Sequence, residues 1–219
     1  FKGTKCILDK IDLVIVRENT EGFYADRNMF SGNGELEIEE GTGISIRKIT
    51  RKASEKIAKR GFEIAKQMNK NKKINVHAIH KANVLRLTDG ISLKACRKIS
   101  KHYPEIEYHE MLVDAATAHM VRKPEQFDVL ITTNMFGDIL SDLASELSGS
   151  LGLSGSLNVG DTIPMAQAQH GAAIDIMNKG FANPISLIFS VAMLLKWLGN
   201  QKCQIKYIKA NELVLKVIE

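Results

Sequence analysis

Four short apolar runs constrain the fold of this chain more than any other feature. They are IDLVIV (11–16), INVHAIH (74–80), IEYHEMLV (106–113) and FDVLITT (127–133). Their length and apolar content are typical of buried strands, and the last three are followed by residues with helical periodicity. Strands that alternate with helices predict an α/β protein that contains parallel strand pairs.

Capping residues predict the limits of two helices. Thr88 is expected to cap the helix that follows the second apolar run. Asn183 and Pro184 are expected to be the cap and the first residue of a later helix, and Gly199 is expected to close it.

The basic charge of the chain is concentrated in one segment. There are 30 Lys and Arg residues against 25 Asp and Glu residues, a formal net charge of +5, and much of the excess lies in 47–73. Apolar residues recur there at helical spacing, which indicates an amphipathic helix with a solvated basic face. Phe62 is the only aromatic residue in the segment, so base stacking has little support and we expect no nucleic-acid partner.

Length, cysteine content and hydropathy limit the class of protein. With 219 residues, the chain is long enough for one large domain or two small ones. Cys6, Cys96 and Cys203 form neither a disulfide framework nor a zinc pattern, and we expect a cytoplasmic location. The most apolar run, 185–199, contains Lys196 and is too short to span a membrane.

Residues 32–49 break the alternation of strands and helices. ELEIEE and ISIRKI are strand-like and flank a Gly-Thr-Gly turn, so they predict a β-hairpin. A projecting hairpin with few apolar residues needs a neighbour, so we expect it to pair with another subunit. The loosest segment, 148–161, is the expected place for a domain crossing.

Charged residues stand at the carboxyl ends of the predicted strands, where open α/β sheets bind ligands. They are Arg17, Lys81, Asp114, Asp138 and Asp142. Taken singly, each has a structural explanation, because Asp is common at helix starts. Asp138 and Asp142 are four residues apart on one helical face, however, and their mutual repulsion indicates a cation between them.

The side chains near these positions favour one class of metal. Carboxylate ligands without Cys suit Mg²⁺ or Mn²⁺ better than Zn²⁺. His77 and His80 are three residues apart on a strand, so they point to opposite faces and make a poor metal pair. Neither a GxGxxG motif after a strand nor a Walker loop occurs, so a dinucleotide would not bind through a Rossmann fingerprint.

Five motifs, in order along the chain, resemble the β-decarboxylating dehydrogenases of isocitrate and 3-isopropylmalate. They are VRENTEGFY (16–24), HKANVLRLTDG (80–90), VDAATAHMV (113–121), TNMFGDILSDLAS (133–145) and HGAAIDIMNKGFANP (170–184). NMFGDILSD alone is highly specific, and five motifs in register identify the chain as similar to this family.

The resemblance implies an α/β fold of two domains with a mixed sheet and a protruding intersubunit β-arm, and not a Rossmann fold. Residues 1–148 would form the small, dimer-forming domain, with the arm at about 32–49. Residues 149–219 would form part of the large, cofactor-side domain. The family's first segment and its last strand and helix have no counterpart here, so we expect this chain alone to be inactive.

The resemblance also implies roles for four residues near the strand ends. Arg17 would bind a substrate carboxylate, and Tyr24 would be the general acid. Lys81 would be the general base, and Asn83 a neighbouring substrate or cofactor contact.

The same resemblance implies a metal site that two subunits share. Asp114, Asp138 and Asp142 would ligate Mg²⁺ or Mn²⁺. In this family the base, here Lys81, and one metal aspartate reach across from the partner subunit. Each active site would therefore need a homodimer.

The fifth motif implies a cofactor site for NAD. His170, Gly171 and the loop after them would bind the adenosine half, with Asn183 on the adenine. Asp175 falls where NAD-using members carry an aspartate, which accepts from the ribose 2′-hydroxyl and would repel a 2′-phosphate.

The cofactor loop departs from the family pattern at several positions. It reads HGAAIDIMNKG where the family usually has HGSAPDIAGKG, so Ile174 replaces a Pro and Asn178 a Gly. Gln167 stands where many members have Glu.

These roles imply an NAD-dependent oxidative decarboxylation of a 2-hydroxy acid that carries a β-carboxylate. The metal would lower the pKa of the substrate hydroxyl, Lys81 would take its proton, and hydride would pass to NAD⁺. The 2-keto acid would lose CO₂, and Tyr24 would protonate the carbon. Isocitrate is the first expectation, because RENTEG resembles isocitrate-type members; 3-isopropylmalate, then malate or tartrate, are the alternatives.

A non-catalytic regulatory subunit of an isocitrate dehydrogenase is the alternative from another class. Such a subunit would be expected to lack the acid, the base or the metal ligands. Arg17, Tyr24, Lys81 and the three aspartates are all present, which favours the catalytic interpretation.

Overall fold

The computed structural model describes residues 7–8, 11–24, 32, 34–68 and 72–218. In chain order, its strands and helices are β1 (Val14–Arg17), β2 (Glu35–Glu39), β3 (Thr42–Ser45), α1 (Arg51–Gln67), β4 (Asn75–His80), α2 (Thr88–Ser100), β5 (Glu107–Leu112), α3 (Val113–Arg122), β6 (Val129–Thr132), α4 (Asn134–Ser148), β7 (Gly155–Val159), β8 (Pro164–Ala168), α5 (Ile185–Lys202) and α6 (Ile205–Ile218). The four apolar runs correspond to β1, β4, β5 and β6, so these predicted strands are confirmed.

A four-stranded parallel sheet organises the first part of the chain. The strand order is β1-β6-β4-β5, with Arg17 beside Thr132 and His80 beside Leu112 in the register. Because all four strands run in the same direction, their carboxyl ends meet at one edge of the sheet. The α/β prediction is confirmed. The antiparallel pairs β2–β3 and β7–β8 form separate sheets among the described residues.

Helices α1 and α2 cover one face of the parallel sheet. Phe62 and Ala65 of α1 belong to the same buried cluster as Val76 of β4 and Ile131 of β6. Gly61 allows the close approach, because a Cβ added there would lie 2.5 Å from Cγ1 of Ile131. The predicted amphipathic helix is therefore confirmed, and it is anchored by its apolar stripe.

The start of α2 differs from the prediction. The N-cap position is Leu87, without a capping side chain, and Thr88 is the first helical residue. The Thr88 hydroxyl instead accepts a hydrogen bond of 2.6 Å from Nη1 of Arg47. The Thr88 hydroxyl therefore binds a side chain that is distant in the sequence, and it does not cap the helix.

The limits of α5 also differ from the prediction. Gly199 lies inside the helix, which continues to Lys202 and ends at Cys203 with φ of 49°. A Cβ at Gly199 would lie 2.6 Å from Cγ1 of Ile208, so this glycine serves the packing of α5 against α6. Pro184 occupies the N-cap, and Oδ1 of Asn183 accepts from the backbone N–H of Ile185 at 3.0 Å.

The chain divides into two compact units, one of residues 10–144 and one that contains the residues from Ser145 onward. In the second unit, buried serines attach α5 to the β7–β8 hairpin. Ser186 Oγ donates to the carbonyl of Ser154 at 2.6 Å, and Ser190 Oγ donates to that of Gln167 at 2.7 Å. Among the described residues, no helix combines the length and apolar content of a membrane span. The functions expected of two domains at 1–148 and 149–219, and the cytoplasmic location, stay predictions.

The predicted hairpin is confirmed as the antiparallel pair β2–β3. Leu36 lies opposite Ile44, and both side chains are exposed, as is that of Ile38. Apolar side chains without cover support the expectation that the hairpin has a neighbour. Its identity as an intersubunit arm stays a prediction.

Candidate active site

The candidate site lies along the carboxyl edge of the parallel sheet. Arg17 ends β1, and α4, which carries Asp138 and Asp142, begins two residues after β6 ends. Lys81 directly follows β4, and Asp114 is the second residue of α3, which follows β5. Since the strand order is β1-β6-β4-β5, these residues form two groups, one on the β1–β6 half of the edge and one on the β4–β5 half.

The first group is centred on Arg17 and is called the Arg17 cluster, which comprises Arg17, Tyr24, Asn134 and Asp138. Arg17 Nη1 forms a short ion pair with Oδ1 of Asp138, and Nε donates to Oδ1 of Asn134 at 2.9 Å. Arg17 Nη2 donates to the Tyr24 hydroxyl at 2.9 Å, and this hydroxyl donates to Oδ2 of Asp138 at 3.0 Å. A cation, a phenol and a carboxylate therefore meet in one place.

The electrostatics of the Arg17 cluster keep the phenol protonated. Burial, followed by the hydrogen bond to Asp138, raises the pKa of Tyr24 above its usual value, and Arg17 opposes this shift. The side chains of Arg17 and Asp138 are 29% and 50% exposed, so the cluster is open to a ligand. Tyr24 can therefore hold and deliver a proton.

Two residues of the NMFGD run bring α4 close to the end of β1. A Cβ on Gly137 would lie 2.6 Å from Cγ of Arg17, so only glycine allows this approach. Asn134 is buried, and its Nδ2 donates to the carbonyl of Glu21 at 2.8 Å. Asn134 thus connects Arg17 to the loop that carries Tyr24.

The loop between Arg17 and Tyr24 is held by two buried carboxylates. Glu18 accepts from the backbone N–H groups of Thr20 at 2.9 Å and Glu21 at 3.1 Å. Glu21 accepts from the backbone N–H of Thr50 at 2.6 Å, and burial raises its pKa. Sequence reasoning assigned neither glutamate a role, although both lie in the VRENTEGFY motif, because charge alone does not show that a glutamate is buried.

The second group is the pair of Lys81 and Asp114. Lys81 Nζ lies 2.7 Å from Oδ1 of Asp114, and this contact lowers the pKa of Asp114. Their side chains are 27% and 63% exposed. Asn83, in the turn after Lys81, is also exposed.

The three aspartates predicted as metal ligands are divided between the groups. Asp138 belongs to the Arg17 cluster, Asp142 is exposed one turn further along α4, and Asp114 pairs with Lys81. In the part of the chain that the structure describes, no group of three His, Cys, Asp or Glu residues could hold a metal ion. The donors have the chemistry that Mg²⁺ or Mn²⁺ requires, but one chain does not assemble them.

The residues predicted to bind the cofactor lie in an exposed loop of the second unit. They are His170, Gly171, Asp175 and Asn183. His170 Nδ1 is 2.9 Å from its neighbour's carbonyl, and Asp175 is in the short 3₁₀ helix Ile174–Ile176. Asn178 has φ of 62°, a left-handed conformation that asparagine tolerates well, so it can replace the family's glycine.

Sequence reasoning also missed a buried ion pair, Arg47 with Asp89. Arg47 lies at the start of the basic segment that was expected to be solvated, yet its side chain is only 7% exposed. That expectation is wrong for Arg47, because the residue lies before the start of α1 and its environment does not follow the helical pattern.

Comparison with known proteins agrees with the motifs. The isocitrate/isopropylmalate dehydrogenase family matches residues 2–217. The chain is 45% identical over 199 residues to a 3-isopropylmalate dehydrogenase of Archaeoglobus fulgidus, covering 91% of this chain and 58% of the relative. It is 48% identical over 192 residues to a homoisocitrate dehydrogenase of Methanocaldococcus jannaschii, covering 88% and 52%.

A solved structure extends the likeness to three dimensions. The crystal structure of isocitrate dehydrogenase from Methylococcus capsulatus superposes with a TM-score of 0.81 at 41% identity, covering 98% of this chain and 62% of that one. The chain thus spans a little over half the length of the curated relatives described above. With the family matching nearly all of its residues, the chain belongs to the isocitrate/isopropylmalate dehydrogenase family.

Proposed function

We propose that this chain contributes to an NAD-dependent, Mg²⁺- or Mn²⁺-dependent dehydrogenase that oxidises and decarboxylates a 2-hydroxy acid. One observation carries the proposal: the Arg17 cluster joins a guanidinium, a protonated phenol and a carboxylate at the carboxyl edge of the sheet. This is where open α/β sheets bind ligands.

Arg17 and Tyr24 of the Arg17 cluster have separate roles in substrate binding and proton transfer. Arg17 binds a substrate carboxylate, because its planar fork suits bidentate recognition. Tyr24 delivers a proton to the carbon that has lost CO₂, and its raised pKa supports this role. The contact of Arg17 with the Tyr24 hydroxyl aligns the acid with the bound carboxylate.

Asp138 and Asp142 of one subunit, with Asp114 of a second, would hold the metal ion. When bound, Mg²⁺ or Mn²⁺ supplies Lewis-acid chemistry, withdrawing electrons from the substrate oxygen. The division of the aspartates within one chain supports this arrangement. Because Lys81 pairs with Asp114, the base and the third aspartate would enter the partner's site together. There the neutral amine of Lys81 would take the hydroxyl proton and become an ammonium.

The exposed loop of the second unit supplies the cofactor contacts. His170 and Gly171 would bind the adenosine half of NAD, with Asn183 on the adenine. Asp175 would accept from the ribose 2′-hydroxyl and repel the phosphate of NADP. Replacement of NADH formation by NADPH formation would contradict this assignment.

The motifs and the names of the relatives support a short set of candidate substrates. RENTEG favours isocitrate, while the relatives' names add homoisocitrate to the alternatives of 3-isopropylmalate, malate and tartrate. The presence of the acid, the base and the aspartates supports an enzyme over a regulatory subunit.

Formation of NADH by the full-length protein tests the proposal. The assay compares isocitrate, homoisocitrate, 3-isopropylmalate, malate and tartrate, each with Mn²⁺ and with a chelator. We expect Mn²⁺-dependent turnover of one acid and its loss in Lys81→Met. Turnover in the chelator, or a normal rate in Lys81→Met, contradicts the proposal.

A further inference from the structure

A buried ion pair, Arg47 with Asp89, lies directly behind Lys81. Asp89 is completely buried, and its Oδ1 lies 2.5 Å from Nη1 of Arg47. Its Oδ2 accepts the backbone N–H of Lys81 at 2.5 Å. One carboxylate therefore compensates a buried guanidinium and fixes the backbone of the proposed base.

The guanidinium of Arg47 contacts both halves of the candidate site. Nη1 donates to the Thr88 hydroxyl at 2.6 Å, in the segment that follows Lys81. Nη2 donates to the Thr133 hydroxyl at 3.2 Å, immediately before α4.

The guanidinium carbon of Arg47 also lies over two aromatic rings. It is 5.5 Å from the ring centroid of Phe23, next to Tyr24, and 5.6 Å from that of Phe136 in α4.

Stability alone is a weak reason for a buried ion pair. Removing two charges from water costs about as much as their attraction returns, and apolar pairs of similar volume often stabilise a protein equally well. An apolar pair, however, could neither accept the N–H of Lys81 nor bond to Thr88 and Thr133. The directed contacts are what the charged pair provides.

We propose that Arg47 and Asp89 are positioning residues. Asp89 holds the backbone of Lys81, and Arg47 fixes that turn relative to Tyr24 and to the helix of Asp138. This role rests on the proposed function, since it concerns the placement of the proposed base and acid.

The test is the double variant Arg47→Met/Asp89→Leu, made in the full-length protein. Its matched control is Asp128→Asn, because the Asp128 carboxylate holds the first residue of β4, at the opposite end of that strand from Lys81. Asp128 is also buried, pairs with Lys72 at 3.2 Å and accepts the backbone N–H of Asn75 at 2.9 Å. Kinetics with Mn²⁺ and NAD, thermal unfolding, and hydrogen exchange at the Lys81 amide are measured for both proteins.

We expect kcat of the double variant to fall at least tenfold while KM changes less than threefold. The Lys81 amide should exchange faster in the folded protein, whereas Asp128→Asn should leave both kcat and this amide unchanged. Arg47→Lys keeps the positive charge but lacks the planar guanidinium that contacts Thr88 and Thr133. Its kcat should therefore lie between those of the parent and the double variant. It also serves as the test protein if the double variant does not fold.

Two outcomes overturn the positioning role: a kcat within twofold of the parent, or unchanged exchange at the Lys81 amide. A parent protein inactive with every acid contradicts the proposed function instead. Hydrogen exchange then decides by itself whether Asp89 holds Lys81.

Discussion

The guanidinium of Arg17 contacts three side chains. One lies in the loop after β1, and two lie on α4. Nε is bound by Asn134, Nη2 by Tyr24 and Nη1 by Asp138. A lysine ammonium carries the same charge but cannot make these three contacts in fixed directions. The shape of the arginine, more than its charge, organises the cluster.

Arg17→Lys should therefore lower kcat/KM by about 100-fold, because small misplacements of substrate are costly in rate. Steady-state kinetics measure the loss. Arg60→Lys, which alters a partly exposed arginine paired with Glu63 on α1, is the control and should keep parental activity. Equal kinetics in Arg17→Lys and the control would show that the fork of Arg17 has no role.

His77 makes stability depend on pH. Burial, followed by the neighbouring His109, lowers the pKa of His77 to about 4, with His119 acting in the same direction and Asp128 opposing. The unfolded chain binds this proton near pH 6.5. The unfolded state therefore takes up more protons between these values, so stability is full above pH 6.5 and falls as the pH drops towards 4.

His77→Phe removes the titrating group and keeps an aromatic ring between His109 and Phe127. Between pH 7 and pH 5 the parent should lose about 2 kcal/mol more of its free energy of unfolding than the variant. Urea denaturation at the two pH values measures this difference. Exposed His102→Gln is the control, and an equal loss in His77→Phe and the parent would contradict the assignment.

Close approaches between elements were not visible in the sequence. The strands and most helices could be predicted, because apolar runs and periodicity are local. The predicted roles of Thr88 as a helix cap and Gly199 as a helix end were wrong, because each residue contacts a side chain from another segment. Arg47 binds the Thr88 hydroxyl, and Ile208 packs on Gly199. Likewise, the sequence predicted the charged strand ends but not the buried Asn134 that joins Arg17 to its loop.

Gly137 is the point where α4 approaches β1. Gly137→Ala should lower the free energy of unfolding by about 1–3 kcal/mol, because its Cβ overlaps Arg17 and Thr132. It should also reduce kcat, since Asp138 is displaced. Gly61→Ala is the matched comparison: its Cβ would also overlap a neighbour, Ile131, but no residue of the Arg17 cluster, so it should lose stability and keep kcat. Urea denaturation and kinetics on both variants decide this.

At the scale of the whole molecule, we expect a second copy to bind at the exposed apolar side chains of the β2–β3 hairpin. Leu36 and Ile44 pair across the hairpin β2–β3 on one face, and Ile38 follows two residues after Leu36; all three are exposed. Replacing Leu36 and Ile44 with Asp should weaken dimerisation, because burying these charges would be costly. Sedimentation velocity measures the association. Glu35→Ala, on a neighbouring residue, is the control, and an intact dimer in the Asp variant would show that the hairpin is not the arm.

Complementation tests most directly whether two copies of the chain share each active site, as we propose. Lys81→Met and Asp138→Asn are each expected to be inactive alone, since each damages both sites of a homodimer. A heterodimer of the two would hold one site with both lesions and one site with none. Co-expression in equal amounts should therefore restore about a quarter of parental activity, given random pairing into symmetric dimers. Activity no higher than that of the separate variants, in a sample shown to contain heterodimers, would contradict the claim.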